Sequence, residues 1–459
     1  MVLNFLTEMH IHFIAIGGSA MHNLALALYS KGATVTGSDD SIHEPSKSRL
    51  AAKGLLPEKT GWFPKKITKN IDAVILGMHA KENNPELIKA QKLGLKIYSY
   101  PEFLFEQAKN KTRVVIGGSH GKTTITSMIL HVMQYHLIPV DFMVGAQLEG
   151  FDTMVHLTNK NEFMVLEGDE YLSSPIDRRP KFHLYQPQIA LLSGIAWDHI
   201  NVFPTFENYV EQFKIFIDTI PPGGMLVYFE GDSVLKKIVM ESTNPIKKYA
   251  YNSLEHTIDN GVTYLLSDEG KIPLKIFGKH NLQNLAGAQW VCQLMGIDKE
   301  QFIEAISSFN GASKRLEKLA ESKNRVLFKD FAHSPSKVLA TVNAVKAQFP
   351  KRKLIACLEL HTYSSLNATF LKDYVGTLQN ADKAVVFYSP DAVAIKGLEK
   401  IDKEQILKAF KREDLIVFTD PLAFKHFIDN ENFENSSLLL MSSGNYGGLN
   451  LDELALRFR

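Results

Sequence analysis

Cysteines, long apolar runs and any excess of one charge are all scarce in this 459-residue chain. No stretch approaches the roughly 18 apolar residues that a membrane-spanning helix needs, so no membrane role is expected. The opening "MVLNFLTEMHIHFIAIGG" lacks a basic start and a small-residue cleavage site, and is not read as a signal peptide. Fifty-one Lys and Arg stand against 50 Asp and Glu, which excludes the electrostatic footprint of a nucleic-acid partner. The two cysteines, Cys292 and Cys357, lie in the apolar contexts "WVCQLMG" and "LIACLEL". They read as buried free thiols, which suits a reducing, cytoplasmic location.

What is present is an ordinary globular composition, 45% hydrophobic and 22% charged, over a length that implies two to four domains. "IHFIAIG", "TVTGSDD", "DAVILG" and "KIYSY" alternate with helix-like segments, the signature of a parallel sheet. A second α/β block opens at "TRVVIGG" and continues through "EFMVLEGDE", "QIALLSG", "GMLVYFE" and "KKYAYN". The pattern restarts from about 312 with "RVLFKDF", "KLIACLEL", "KAVVFYS", "DLIVFTD" and "SLLLMSSG". The expected fold class is α/β, with three successive domains at 1–107, 108–311 and 312–459. In "FENYVEQFKIFIDTI", Phe206, Tyr209, Phe213 and Phe216 form a stripe that reads as core.

Several turns carry chemistry-bearing residues. Gly17 and Gly18 end one strand and open a helix, which suits either a diphosphate at the helix N-terminus or a plain structural turn. Asp39, in "GSDD", follows the second strand where a ribose or base is commonly read. "GGSHGKTT" follows the strand at 112–117, with three residues between Gly117 and Gly121 where the standard phosphate loop has four. Lys122 would reach phosphate oxygens there, and Thr123 would ligate Mg²⁺. Further ligands are offered by Glu167, followed by Asp169 and Glu170, and by Asp198 and His199 at the end of the next strand. Parallel strands present their C-terminal ends on one edge, so Lys122, Glu167 and His199 can converge. Asn281 and Asn284 open a helix, either as caps or as amide contacts to a nucleotide. Arg315, Asp330 and His333 open the third block, as phosphate and ribose contacts or as surface residues.

In this order, "AIGGSAM…GSD", "GSHGKTT", "EGDE", "DH", "HNLQN", "RLE" and "DFAHSP" resemble the ATP-dependent Mur ligases of peptidoglycan synthesis over essentially the whole chain. The family's phosphate loop is itself the short form. The resemblance implies a Rossmann-like domain for a UDP-sugar, a central ATPase domain, and a C-terminal Rossmann-like domain that closes over the nucleotide. It implies ATP and Mg²⁺, an acyl phosphate, and attack on it by an amine. By motif matching, Gly118, Ser119, His120, Gly121, Lys122, Thr123 and Thr124 would bind ATP together with Asn281, Asn284, Arg315, Asp330 and His333. Thr123 and Glu167 would hold one Mg²⁺, and His199 a second. Gly17, Gly18, Ser19, Ala20, Met21, Ser38, Asp39 and His79 fall on the UDP-sugar side. Lys214 stands near a position that some members carbamylate, and an exposed helix lysine fits it as well.

"HFIAIGGSAM" looks like the subgroup acting on UDP-N-acetylmuramate itself. Within it, "LSSPIDRRPKFHLYQP" and "LMSSGNYGGL" are similar to the members that attach the tripeptide L-alanyl-γ-D-glutamyl-meso-diaminopimelate. That tripeptide is the expected acceptor, with L-alanine as the alternative, in a monomer or weak homodimer. Arg178, Arg179 and Lys181 are either anion binders for this substrate or an exposed basic loop. Gly194 and Ala196 stand where the family usually has Asn and Glu, and "ELHTYSS" lacks the family's arginine near Thr362. A folylpolyglutamate synthetase would lack residues 1–107. An NAD-dependent oxidoreductase would leave Lys122, Glu167 and His199 unexplained. A non-catalytic binding protein keeping the fold would account for the departures.

Overall fold

The computed structural model describes residues 9–148, 151, 153–268, 270–312 and 315–459; the start of the segment considered for a signal peptide lies outside them. Two compact units are present. One gathers Met1–Ile195, Val210–Tyr251 and Trp290–Met295, and the other Ala196–Tyr209, Asn252–Gln289 and Gly296–Arg459.

The first unit holds two sheets. Strands β1 (His10–Ile14), β2 (Thr34–Ser38), β3 (Ala73–Leu76) and β4 (Ile97–Ser99) pair in the order β2-β1-β3-β4, all parallel. The second sheet contains β5 (Thr112–Gly117), β6 (Asp141–Met143), β7 (Val155–His156), β8 (Phe163–Glu167), β9 (Ile189–Leu192), β10 (Met225–Phe229) and β11 (Lys247–Tyr251). Its order is β11-β10-β9-β5-β8-β6-β7, parallel except for the two-residue edge strand β7. The central strands are buried on both faces, which is why they read as unbroken apolar runs such as "VVI" and "IALL". Register then decides the site. Ile116 pairs with Glu167 and Gly117 with Leu192, so the ends of β5, β8 and β9 lie side by side. Beneath them Phe182 stacks on Phe216, with ring centroids 4.6 Å apart, and meets Phe213 edge-on. The two rings of the stripe that belong to this unit are therefore core, as the helical spacing predicts.

The second unit also holds two sheets. β12 (His256–Asp259), β13 (Val262–Ser267) and β14 (Gly270–Leu274) form an antiparallel meander. The sequence reading assigned no strands here. The signal was Asn260-Gly261, whose φ values of +49° and +76° are those of a two-residue hairpin turn. The larger sheet runs β15-β16-β20-β17-β18-β19, from β15 (Glu317–Ser322), β16 (Arg325–Asp330), β17 (Lys353–Leu360), β18 (Lys383–Tyr388), β19 (Ile416–Phe418) and β20 (Ser436–Met441). Its last five strands are the predicted ones and are parallel; β15 is an antiparallel edge. Alternate residues feed two cores, Leu354, Ala356 and Leu358 on one face and Ile355 and Cys357 on the other. Cys292 and Cys357 are both buried free thiols, and burial pushes each well above the ordinary thiol pKa. Among the described residues no helix is long and apolar enough to cross a membrane.

Candidate active site

Two helices begin directly after glycine turns, Ser19–Ser30 after β1 and Lys122–Tyr135 after β5. Neither has a side-chain cap or an acidic residue in its first turn. By contrast, the helices at Tyr100–Ala108, Lys299–Ile306 and Lys403–Phe410 each carry a full capping box. An uncapped first turn leaves its N–H groups and positive dipole end for an external anion.

In the loop at 117–122 the glycines that need left-handed backbone are Gly118, at φ +121°, and Gly121, at +76°. The framing pair is thus Gly118 and Gly121, with Ser119 and His120 between them, rather than Gly117 and Gly121. Ser193, just past β9, holds the loop through its N–H to Gly117 O at 3.2 Å and its hydroxyl to His120 O. Ser119 N donates to Gly194 O at 3.0 Å. Gly194 itself adopts φ +140°, and Asp232 accepts the next N–H, from Ile195, at 2.6 Å. That bend is one that suits glycine.

Lys122 donates to Gly118 O at 2.8 Å and to Glu170 at 2.6 Å. Burial opposes its charge, but the Glu170 and Asp169 carboxylates outweigh burial and raise its pKa. Thr123 donates to Glu167 Oε1 at 2.8 Å, and Glu167 Oε2 accepts Gly145 N at 2.7 Å. A buried hydroxyl beside a buried carboxylate is a set of hard oxygen donors, so these residues fit Mg²⁺. Thr124 is buried one residue further along the helix. Asp169 pairs with Lys181 at 2.5 Å, and Arg179 grips Asp177 through two nitrogens at 3.0 and 2.7 Å. Of the three basic loop residues, Lys181 and Arg179 thus support the loop, while Arg178 is exposed.

At the other glycine turn, Gly17 N donates to Asp39 Oδ2 at 2.6 Å. Asp39 therefore braces the turn. Ser38 is buried within 3.4 Å of the Lys66 ammonium, Met21 is buried, Ala20 is half-buried, and Ser19 and His79 are exposed. Lys214 is also exposed and pairs with Glu211 at 3.3 Å on its own helix. This is the exposed helix lysine that the sequence offered as the other reading of this position. Lys214→Ala is expected to leave turnover within about twofold of wild type, with no bicarbonate dependence in a phosphate-release assay.

In the second unit His199 has φ +55°, and its N–H donates to Asp198 at 2.8 Å. Asp198 faces Lys337 at 3.5 Å. Burial disfavours the Asp198 charge, yet the Lys337 ammonium and the neighbouring histidines hold its pKa well below the usual range. Asp330, at the end of β16, accepts Leu316 N at 2.6 Å and Ala332 N at 2.5 Å, and burial raises its pKa to about 6. His333 accepts a hydrogen bond from Tyr374 at its carbonyl; burial and Lys337 lower its imidazole to about 4. The Arg315 guanidinium lies 4.8 Å above the Phe331 ring. Asn281 donates to Phe277 O at 2.9 Å, and Asn284 is buried one turn on. Thr362 accepts Ser365 N at 3.1 Å and closes a turn. Ser193, Gly145, Asp232 and Lys337 were not singled out by sequence, and Glu170 was read as a ligand candidate and not as the partner of Lys122, because each acts through a contact between segments far apart in the chain.

The chain matches the "Mur ligase family, catalytic domain" over residues 10–112 and the "Mur ligase middle domain" over 116–292. It is 30% identical to a UDP-N-acetylmuramate–L-alanine ligase of Endomicrobium trichonymphae over 440 residues, 91% of this chain and 94% of that one. Among solved structures it is similar to UDP-N-acetylmuramate–alanine ligase from Thermotoga maritima, with TM-score 0.70, 19% identity and 98% of each chain covered. It is also similar to UDP-N-acetylmuramate:L-alanyl-γ-D-glutamyl-meso-diaminopimelate ligase from Neisseria meningitides. That match has TM-score 0.58 and 26% identity, and covers 66% of this chain and 98% of that one.

Proposed function

The chain belongs to the Mur ligase family, ATP-dependent ligases of peptidoglycan synthesis, and from that premise we propose that it joins an L-alanyl amine to the carboxylate of UDP-N-acetylmuramate. The observation that carries the reading is the Gly118–Gly121 loop, with Lys122 on one side and the Thr123–Glu167 contact on the other. In this reading the substrate carboxylate attacks the terminal phosphorus of ATP, giving an acyl phosphate and ADP. The amine then adds to the acyl carbon, loses a proton, and phosphate leaves as the amide forms. Lys122 and the loop N–H groups hold phosphate oxygens. Mg²⁺, held by Thr123 and Glu167, would supply charge neutralisation at the transferring group, with His199 assigned to a second ion. Asn281, Asn284, Arg315, Asp330 and His333 are assigned to the nucleotide, and the uncapped turn at 17–21 with Ser38, Asp39 and His79 to the UDP-sugar. The division 1–107, 108–311 and 312–459 follows these roles.

Free L-alanine and the tripeptide L-Ala-γ-D-Glu-meso-diaminopimelate present the same nucleophile, an L-alanyl α-amine. The near full-length similarity to L-alanine ligases favours L-alanine, reversing the order suggested by the segments at 172–187 and 440–449. The tripeptide reading keeps the support of those two segments, the first of which forms a braced loop with Ser173 bonded twice to Arg179 O, at 3.0 and 2.6 Å. The deciding experiment measures phosphate release with ATP, Mg²⁺ and UDP-N-acetylmuramate, supplying each acceptor in turn, with products weighed by mass spectrometry. Release with L-alanine is expected; release only with tripeptide selects the second reading, and silence with both sinks the ligase assignment.

A further inference from the structure

We infer that Glu170 is a latch that makes the phosphate loop select the divalent-cation complex of a nucleoside triphosphate over the metal-free nucleotide. The inference rests on the nucleotide reading of the loop and concerns the first unit alone. Glu170 is 1% exposed and Lys122 14% exposed, with their charged ends 2.6 Å apart. Around them stand three carboxylates, Glu167, Asp169 and Glu170, and two ammonium groups, Lys122 and Lys181. Glu167 is met by neutral donors, the Thr123 hydroxyl and Gly145 N–H. Among these five side chains the negative charges outnumber the positive by one before any phosphate arrives.

Terminal phosphates that engage Lys122 compete with Glu170 for the same ammonium. A metal-free triphosphate brings several negative charges into a site that is already net negative, and draws the Lys122 ammonium away from the buried Glu170 carboxylate. A triphosphate carrying a divalent cation brings the compensating charge with it. The carboxylate at 170 thus penalises the first ligand and tolerates the second. Glutamine has the same size and still accepts from Lys122, but it removes the penalty.

Binding is read by isothermal titration calorimetry on the full chain, with ATP plus Mg²⁺ and with ATP plus a chelator. Wild type, Glu170→Gln, Glu170→Asn and Glu170→Asp are compared, with the Tm of each recorded. The two neutral variants are expected to bind metal-free ATP about tenfold or more tightly than wild type, with a much smaller change for the Mg²⁺ complex. Glu170→Asp keeps the charge and is expected to gain nothing. The latch is overturned if whichever neutral variant stays folded binds metal-free ATP no better than wild type, or if Glu170→Asp gains as much. Failure of wild type to bind ATP under either condition overturns the nucleotide reading, and the latch with it. A wild type that binds only the Mg²⁺ complex upholds the nucleotide reading, and the latch then stands or falls with the gain in the neutral variants.

Discussion

Lys122→Met is expected to lower ligase turnover about a thousandfold or more, the scale set by removing a charged clamp from a transferring phosphoryl group. Methionine matches the lysine stem in volume and leaves the helix start at 122 intact, so the loss is one of charge. The same substitution strips Glu170 of its cation. Removing one partner of a buried pair costs about 3 kcal/mol, so the Tm should fall as well. The two effects separate in the double variant Lys122→Met/Glu170→Gln, where no buried charge is left alone. Its Tm should return most of the way to wild type while turnover stays lost. A double variant that regains turnover would remove Lys122 from the chemistry altogether. Phosphate release and thermal unfolding on the same preparations decide it.

The second large effect belongs to Gly118→Ala. At φ +121° a side chain is strained whatever the surrounding space, and here the space is taken: a Cβ would stand 2.8 Å from Ser193 N. Ser193 cannot retreat without breaking its bonds to Gly117 O and His120 O, which hold the loop against β9. The loop itself must move, and its N–H groups move with it. Nucleotide affinity should drop about a hundredfold or more, a loss of roughly 3 kcal/mol. Gly54→Ala is the matched control: φ is +68° and nothing lies within 4 Å of the new Cβ. It should cost only the left-handed backbone term, about 1 kcal/mol, and leave nucleotide binding unchanged. Calorimetric ATP titration of both variants checks this; Gly118→Ala binding ATP as tightly as wild type would remove the loop geometry from nucleotide binding.

The sequence made legible what depends on local pattern. Buried parallel strands read as apolar runs because both faces are covered, so β5, β8 and β9 and the five parallel strands of the last sheet were all anticipated. The phosphate loop was legible because its glycines, lysine and threonine are contiguous. Their exact duties were not, since a one-residue shift in which glycine turns left-handed leaves no mark on composition. The β12–β14 meander was missed although Asn260-Gly261 announces its turn; its strands carry too few buried residues to alternate clearly. Asp39 was read as a ligand contact; its bond to Gly17 N, 22 residues away along the chain, left no mark in the sequence. The Lys122–Glu170 pair spans 48 residues and depends on strand register. No periodicity reports that.

The antiparallel strands at the rims of the two larger sheets bear on how the protein behaves when crowded. A parallel sheet ending in a long apolar strand offers unpaired N–H and C=O groups to any neighbour, an invitation to aggregate. Here the rim of the β5–β11 sheet is finished by β7, only two residues long. The rim of the last sheet is β15, whose sequence "EKLAES" sets charges along the exposed edge. The two-residue strand offers little backbone at its rim, and the charged side chains along β15 make its edge a poor template for another strand.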